Sequence, residues 1–275
     1  MRKKSFVLYI ICIALLTYVI VCRYSLPAAD FYALEVYPRI SLVLSFISSL
    51  VPFSIQEFIV TVIIIIGLFM LTRIRKWGFK RFAKYELLLL LSTYVWFYIS
   101  WANNYSRSSI FYRTETAPRS YNEAEFLAFV GDYVDSINAA WTSDTISDIS
   151  EIELEIKKAY SEVPNKYGLS KPRSWHHPKE MLFRPLYSAV GVAGFMSPLL
   201  SESCVNSDIL AIDVPGVYTH EYAHLLGVSS EAEANWWAYT ICTASQTPAV
   251  KYSGYWEVLP YIMNNAQRIL SEDES

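Results

Sequence analysis

The sequence predicts an α+β protein: transmembrane helices at the N-terminal end, then a mostly α-helical domain with a small β-sheet. Three observations carry that expectation. The 275 residues are 53% hydrophobic, 16% aromatic and only 18% charged, a balance that points to membrane spans rather than to a soluble domain alone. The long apolar runs all lie before residue 103. The charge changes sign at the same place: residues 1–102 hold 11 Lys and Arg against 4 Asp and Glu, a net of +7, whereas residues 103–275 hold 12 against 22, a net of −10. An acidic half without a basic patch argues against nucleic acid as a partner. The expected division is a membrane region, 1–102, followed by an extracytoplasmic domain, 103–275.

Phe6 to Cys22 carries no charge and follows Arg2, Lys3 and Lys4. It is longer than the apolar part of a usual signal peptide and reads as an uncleaved first span, with a cleavage site in the SLPAAD stretch as the alternative. Ser41 to Phe53 is short and bounded by prolines, so it reads as an interfacial or re-entrant segment. Glu57 to Thr72 is a second span; its β-branched residues still form a helix, because lipid offers the backbone no other hydrogen-bond partner. Arg73 to Lys84 holds six basic residues. Glu86 to Ala102 is the third span, with Trp96, Tyr98 and Trp101 crowded at its far end as interfacial aromatics. Basic segments face the cytoplasm, which puts the N-terminus and the Arg73–Lys84 loop inside and residues 103–275 outside a multi-pass membrane protein.

The second half reads as helix with one exception. Ser120 and Glu123 have capping-box spacing ahead of Phe126, Leu127, Val130, Val134 and Ile137, which keep a helical period. A charged helix is expected over about Ser147 to Glu162, then a loop through YGLSKPRSWHHPKE, whose His176 and His177 read as surface residues. Pro185 to Leu200 is apolar and punctuated by glycine, and predicts a pair of strands. Helices are expected from the segment before His220 to Thr243, broken at Gly227, and over Tyr255–Leu270. Of the four cysteines, Cys204 and Cys242 lie in this half, and a disulfide between them is an open alternative in an oxidising compartment. No CxxC occurs, which excludes a cysteine zinc knuckle.

The chemistry concentrates in THEYAHLLGVSSEAEAN, Thr219 to Asn235. On a helix, residues four apart share a face, so His220 and His224 can turn ring nitrogens toward one ion. Glu221 leaves the helix about 100° away, beside that ion, where a carboxylate can act as general base on a water. A hydrolytic zinc site needs a third ligand and one open position. Gly227 suits the end of the helix. Ser230 and Glu233 have capping-box spacing for the next one, which gives Glu233 a structural role and leaves Glu231 as the third ligand; the reverse assignment stays open. Asn235 is one turn beyond Glu231, where it could hold a ligand in place. Two of the four histidines of the chain stand here. The competing reading is an amphipathic helix that carries two histidines by chance. Tyr252 or Tyr255 is a candidate for stabilising an oxyanion, and Asp213 is either an orienting group or a solvated carboxylate.

HEYAHLLGVSSEAEANWWAY, with GVAGFMSP before it and KYSGYW after it, resembles an uncharacterised bacterial family of multi-span membrane proteins with an HExxH motif followed by an ExEAN stretch. The resemblance covers most of the chain, including the spans and PFSIQEF. Glu231 to Asn235 is more distantly similar to the ExxxD element of gluzincin peptidases, which implies a zincin-like domain. This chain has Asn where gluzincins have Asp, and a shorter spacer from His224 to Glu231. HExxHxxG is closer to metzincins, but Ser230 stands where their third histidine would be. The strand ahead of an HExxH helix often pairs with substrate in zincin-like folds; GVAGFMSPLL is the candidate for that part by edge-strand addition, with a plain core strand as the alternative. The function implied is a membrane-anchored metallopeptidase with one Zn2+, acting on a protein or peptide substrate beside the lipid bilayer. A membrane scaffold or sensor with a structural or vestigial zinc site is the alternative.

Overall fold

The computed structural model describes residues 2–146 and 148–273. Its first half is α1 (Arg2–Tyr24), α2 (Leu26–Ser48), α3 (Ile55–Thr72) and α4 (Phe79–Ser100). Among the described residues, three helices are long and apolar enough to cross a membrane: Phe6–Tyr24, Leu26–Ser48 and Ile55–Thr72, with mean hydropathy 2.4, 1.2 and 2.3. The first and third contain expected spans. The expected third span, Glu86 to Ala102, lies mostly in α4, whose first two turns carry Lys80, Arg81, Lys84 and Glu86, so α4 does not join the three. In the expected interfacial segment Ser41–Phe53, residues 49–53 turn the chain toward α3, and only the part up to Ser48 is helical, as the tail of a longer helix. Pro38 does not break that helix, because the π-helical stretch Tyr32–Val36 just before it relaxes the backbone pairing a proline would disrupt.

The long apolar helices form a small bundle. Tyr9 Oη donates to the Lys84 carbonyl at 2.6 Å and Cys12 Sγ meets Ser92 Oγ at 3.6 Å, so α1 runs parallel to α4. A Cβ on Gly67 would come 3.8 Å from the Glu86 carboxylate, which places the end of α3 beside the start of α4 and makes that pair antiparallel. Helix α2 instead lies along the second half of the chain. Its Tyr32 and Tyr37 are fully buried there, and its Ser45 hydroxyl meets Trp175 Nε1 at 3.1 Å and His176 Nε2 at 3.2 Å.

The second half contains α5 (Glu123–Ala140), α6 (Glu153–Glu162), α7 (Arg184–Ala189), β1 (Gly194–Ser197), β2 (Glu202–Val205), α8 (Val214–Leu225), α9 (Glu231–Thr243) and α10 (Pro248–Asp273). The capping box of α5 falls two residues later than expected. Asn122 Oδ1 accepts from Glu125 N at 2.8 Å and Glu125 answers Asn122 N at 3.3 Å, a reciprocal pair that Ser120 does not take part in. The expected start of α6, Ser147, lies outside the described residues; α6 itself begins at Glu153. The expected strand pair over Pro185–Leu200 is corrected. Pro185 opens the short helix α7 instead, Gly191 turns the chain at φ 73°, and the hairpin lies further on, in antiparallel register from Gly194↔Val205 to Ser197↔Glu202. Cys204 and Cys242 are buried free thiols, which corrects the disulfide alternative; the Cys242 thiol packs 3.2 Å from Thr219 Oγ1.

One core joins the halves. Tyr32, Tyr37, Trp101 and Ala102 are buried in the same cluster as Tyr160, Tyr218, Tyr222, Leu226 and Trp237, so packing continues across position 102. The hairpin is fastened to the first turn of α3. Glu202 accepts from Ile55 N at 3.0 Å and Gln56 N at 3.1 Å, two amides left free at the helix start, and pairs with buried Lys179 at 2.8 Å. Glu57 accepts from Leu182 N at 2.9 Å and Phe183 N at 2.8 Å. Gln56 Oε1 accepts from Ser197 Oγ at 2.7 Å and Leu199 N at 3.2 Å.

Candidate metal centre

Helix α8 brings the two histidines together and its ending fixes how they point. Pro215 suits the first turn, where an amide partner is not needed. At the other end Gly227 takes φ 102°. Val228 N then bonds back to the Ala223 carbonyl at 3.1 Å and Gly227 N to the His224 carbonyl at 3.0 Å, the paired bonds of a Schellman turn. That turn swings the Val228 carbonyl under His224, which donates to it from Nδ1 at 2.7 Å. The proton is thereby fixed on Nδ1, and Nε2 is left as a lone-pair donor facing the site. Donors from elsewhere complete the helix end: Trp101 Nε1 adds a second bond to the His224 carbonyl at 3.1 Å, and Tyr37 Oη donates to Leu225 at 2.7 Å, Ser170 N to Leu226 at 2.8 Å and Arg107 Nη1 to Gly227 at 3.2 Å.

Helix α9 supplies the third group. Ser230 caps it by accepting from Glu233 N at 3.4 Å, and Glu231, the first helical residue, reaches back to α8. His220 Nε2 lies 3.1 Å from His224 Nε2 and 3.2 Å from Glu231 Oε2, and His224 Nε2 lies 3.5 Å from the same oxygen. The two rings are largely covered, with 13% and 7% of their side-chain surface exposed, while Glu231 keeps 76%. The triangle is thus walled on the protein side and open on the other. Hydrogen bonding to His224 leads the effects that hold the Glu231 carboxyl down to about 2. Burial pushes His220 down, and the neighbouring His224 pushes it further. Burial acts on His224 in the same direction but is outweighed by Glu231, Glu221 and the Val228 carbonyl, so its pKa is raised.

Glu221 stands beside this triangle, against β1. A Cβ on Gly194 would come within 2.8 Å of Glu221 Cγ and 3.0 Å of Oε1, so only glycine lets strand and carboxyl approach this closely. Burial raises the Glu221 pKa to about 7, opposed by His224 and helped by Glu231 and Glu257. Asn235 adjoins His220 and favours its charged form. Glu233 is elsewhere: Arg113 Nη2 holds its two oxygens at 2.7 and 2.6 Å, with both side chains 8% exposed. Its backbone is capped by Ser230 as the spacing predicts, but its carboxylate serves Arg113 and makes no return bond to the cap. Tyr255 packs its ring on Tyr133 and Tyr239, and no described contact brings Tyr252 or Tyr255 to the triangle. Asp213 accepts from Trp256 Nε1 at 2.8 Å and carries no contact to the triangle either.

Three neighbours of the triangle carry no signal in local spacing. Glu257 is thirty-odd residues from the motif, yet it packs against Gly216, one turn before His220, and its carboxyl is raised to about 7 by burial and then by Asp213. Trp101 sets its ring 6.2 Å from His224, edge-on. Tyr105, exposed, has a raised pKa to which Glu231 contributes after burial. The reading of His176 as a surface residue is corrected. It is buried between Tyr222 Oη at 3.1 Å and Ser45 Oγ at 3.2 Å, and burial, with Lys157, Arg173 and His177, pushes its pKa down to about 3. His177 is exposed and pairs with Glu153. An unfolded histidine takes its proton near 6.5, so below that pH the unfolded chain binds a proton that folded His176 refuses. Stability should be lost as pH falls from about 6.5 toward 3, by up to ~1.4 kcal/mol per unit. Thermal unfolding of His176→Gln beside wild type at pH 7.5 and pH 5 checks this; an equal acid loss in both would refute it.

A family model described as a protein of unknown function (DUF3810) matches residues 32–274. The chain belongs to the DUF3810 family. The DUF3810 match opens in α2 and takes in α3, α4 and every residue of the triangle, leaving α1 outside it. No curated protein and no solved structure matches the chain.

Proposed function

We propose that this DUF3810 protein is a membrane-anchored zinc metallopeptidase whose site lies on the extracytoplasmic side. The observation that carries the reading is the triangle of His220 Nε2, His224 Nε2 and Glu231 Oε2, with sides of 3.1, 3.2 and 3.5 Å. Ligands held tetrahedrally at ~2.0–2.1 Å from zinc are about 3.4 Å apart, so the donor set fits that ion. Its chemistry fits as well. A lone pair on His224 and an ionised carboxylate face each other across a gap that a cation would relieve.

Zinc bound there would polarise a peptide carbonyl and acidify a water. The chain's own groups do the rest. Glu221, buried against β1 with its pKa near 7, is placed to take a proton from the attacking water and return it to the departing amine. Strand β1 pairs only with β2 among the described residues, and its half-exposed end at Gly194 and Phe195 can align an extended substrate. Glu231 leaves the approach to solvent open. A purely structural site is closed and has no use for a buried carboxyl beside it, which weighs against the scaffold reading.

Metal analysis of the purified protein tests the site. Wild type should carry one zinc per chain, and His220→Ala, His224→Ala and Glu231→Ala should each lose it; full zinc content in the three variants would end the proposal. In this reading α1, α3 and α4 cross the membrane, α4 by the apolar stretch that follows its charged first turns, while α2, although apolar enough to span, lies along the outer surface because one face of it is packed in the core. The Arg73–Lys84 loop then faces the cytoplasm. A reporter fused after Ser275 should be active only in its exported form, and cytoplasmic activity would reverse the topology.

A further inference from the structure

The site stands close to the bilayer. Glu221 touches β1 at Gly194, and three residues later Ser197 Oγ is bonded to Gln56 in the first turn of α3. Three extended residues cover about 10 Å, so roughly one short strand separates the general base from the head of an apolar span. Neighbouring surface supports this height. Leu182, Phe183 and Leu186 are 45%, 44% and 65% exposed, and the first two are tied by their amides to Glu57 of the same turn. Such side chains, continuous with the exposed surface of α3, suit the lipid boundary rather than water.

Directly below β1, a groove of about 580 Å³ runs between α3 and α4. Val60, Ile63, Leu90, Thr93 and Phe97 line it, and Leu199, just past the end of β1, lies at its upper end. The lining is apolar and lies on two helices that enter the membrane. A chain leaving this groove upward meets Leu199, then β1, whose Met196 and Ser197 are buried and whose Gly194 and Phe195 are half-exposed, then Glu221.

Resting on the peptidase reading above, we infer that the substrate is another membrane-anchored protein, cut in the stretch just outside its transmembrane helix, with that helix seated in the α3–α4 groove. One continuous chain then occupies both features: its helix fills the apolar lining, and its first extended residues lie along β1. An acyl chain would fill the groove but has no backbone to offer the strand.

The test uses the full-length protein in lipid vesicles and two probes. Both carry the same poly-leucine transmembrane helix and the same mixed-sequence quenched-fluorescent segment. In one the segment follows the helix directly; in the other a Gly/Ser linker of about 40 residues intervenes, which holds it roughly 35 Å away on average. Both are confined to the vesicle, so local concentration does not separate them. The near probe should be cut about tenfold faster, and a photoreactive version of the helix should crosslink to α3 and α4. Ile63→Trp, or Val60→Trp if the first variant does not retain zinc, narrows the groove and should remove both the crosslink and the advantage of the near probe. Equal rates, or faster cutting of the distant segment, would overturn the inference. So would crosslinking that survives both tryptophans or that captures lipid alone. If neither probe is cut while the helix still crosslinks in the groove, the peptidase reading fails, the assignment of substrate falls with it, and the groove stands as a helix-binding surface.

Discussion

Glu221→Gln should bind zinc as wild type does and lose turnover by at least ~10²–10⁴. The carboxyl is not part of the triangle: the three atoms that approach one another belong to His220, His224 and Glu231. It lies instead on β1, where Gly194 leaves it room. Glutamine keeps the volume and a hydrogen-bonding end, so the close fit against Gly194 and Val217 survives, and only the capacity to accept a proton is removed. Zinc content, folding and membrane insertion are therefore the controls, and cleavage or rescue of a deletion strain is the readout. A variant that restores the strain as fully as wild type would end the peptidase reading and leave a scaffold. A variant that folds but has lost zinc would instead place Glu221 among the ligands.

Glu233→Ala should destabilise the fold by about 3–5 kcal/mol while the folded fraction keeps its zinc. The size follows from Arg113. Its guanidinium and the Glu233 carboxylate are both 8% exposed, so removing the carboxylate strands a buried cation. Trp237 Nε1 loses a partner at 3.4 Å as well. The capping residue is untouched, since Ser230 bonds to the backbone of Glu233. Arg113→Ala should cost a similar amount, whereas the double variant Arg113→Met, Glu233→Leu should recover most of it, because two apolar groups of like size avoid desolvating charge. Denaturant unfolding together with metal analysis decides the matter. Loss of zinc without loss of stability would make Glu233, and not Glu231, the third ligand.

The two glutamates show what could be read from the chain and what could not. Spacing alone put His220 and His224 on one face and set Ser230 at a helix start, because both are rules within a single turn. The same rules gave Glu233 a reciprocal cap, and there they failed: the partner that claims its carboxylate, Arg113, is 120 positions earlier in the chain. His176 was misread for the same reason. A proline-flanked loop is ordinarily at the surface, but here Tyr222 and Ser45 close over it. The hairpin was expected too early because β2, ESCV, is polar in composition, although it is wholly buried. What makes it a strand is Lys179 on one side and β1 on the other. In the first half, hydropathy located α1 and α3, but it could not show that α2 turns Tyr32 and Tyr37 into the same core as the HExxH helix.

The last turn of α8 has a history built into it. The side chains that close its carbonyls, Tyr37, Trp101 and Arg107, are all synthesised before Val214 exists. When the segment that becomes α8 leaves the ribosome, the three donors that finish it have already left. Until they meet, the helix end lacks three of its donors, and the triangle stands on an unfinished turn. Assembly of the triangle therefore waits on the first half of the chain. A chain that lacks its leading half carries the motif but not the three donors that finish the turn beneath it.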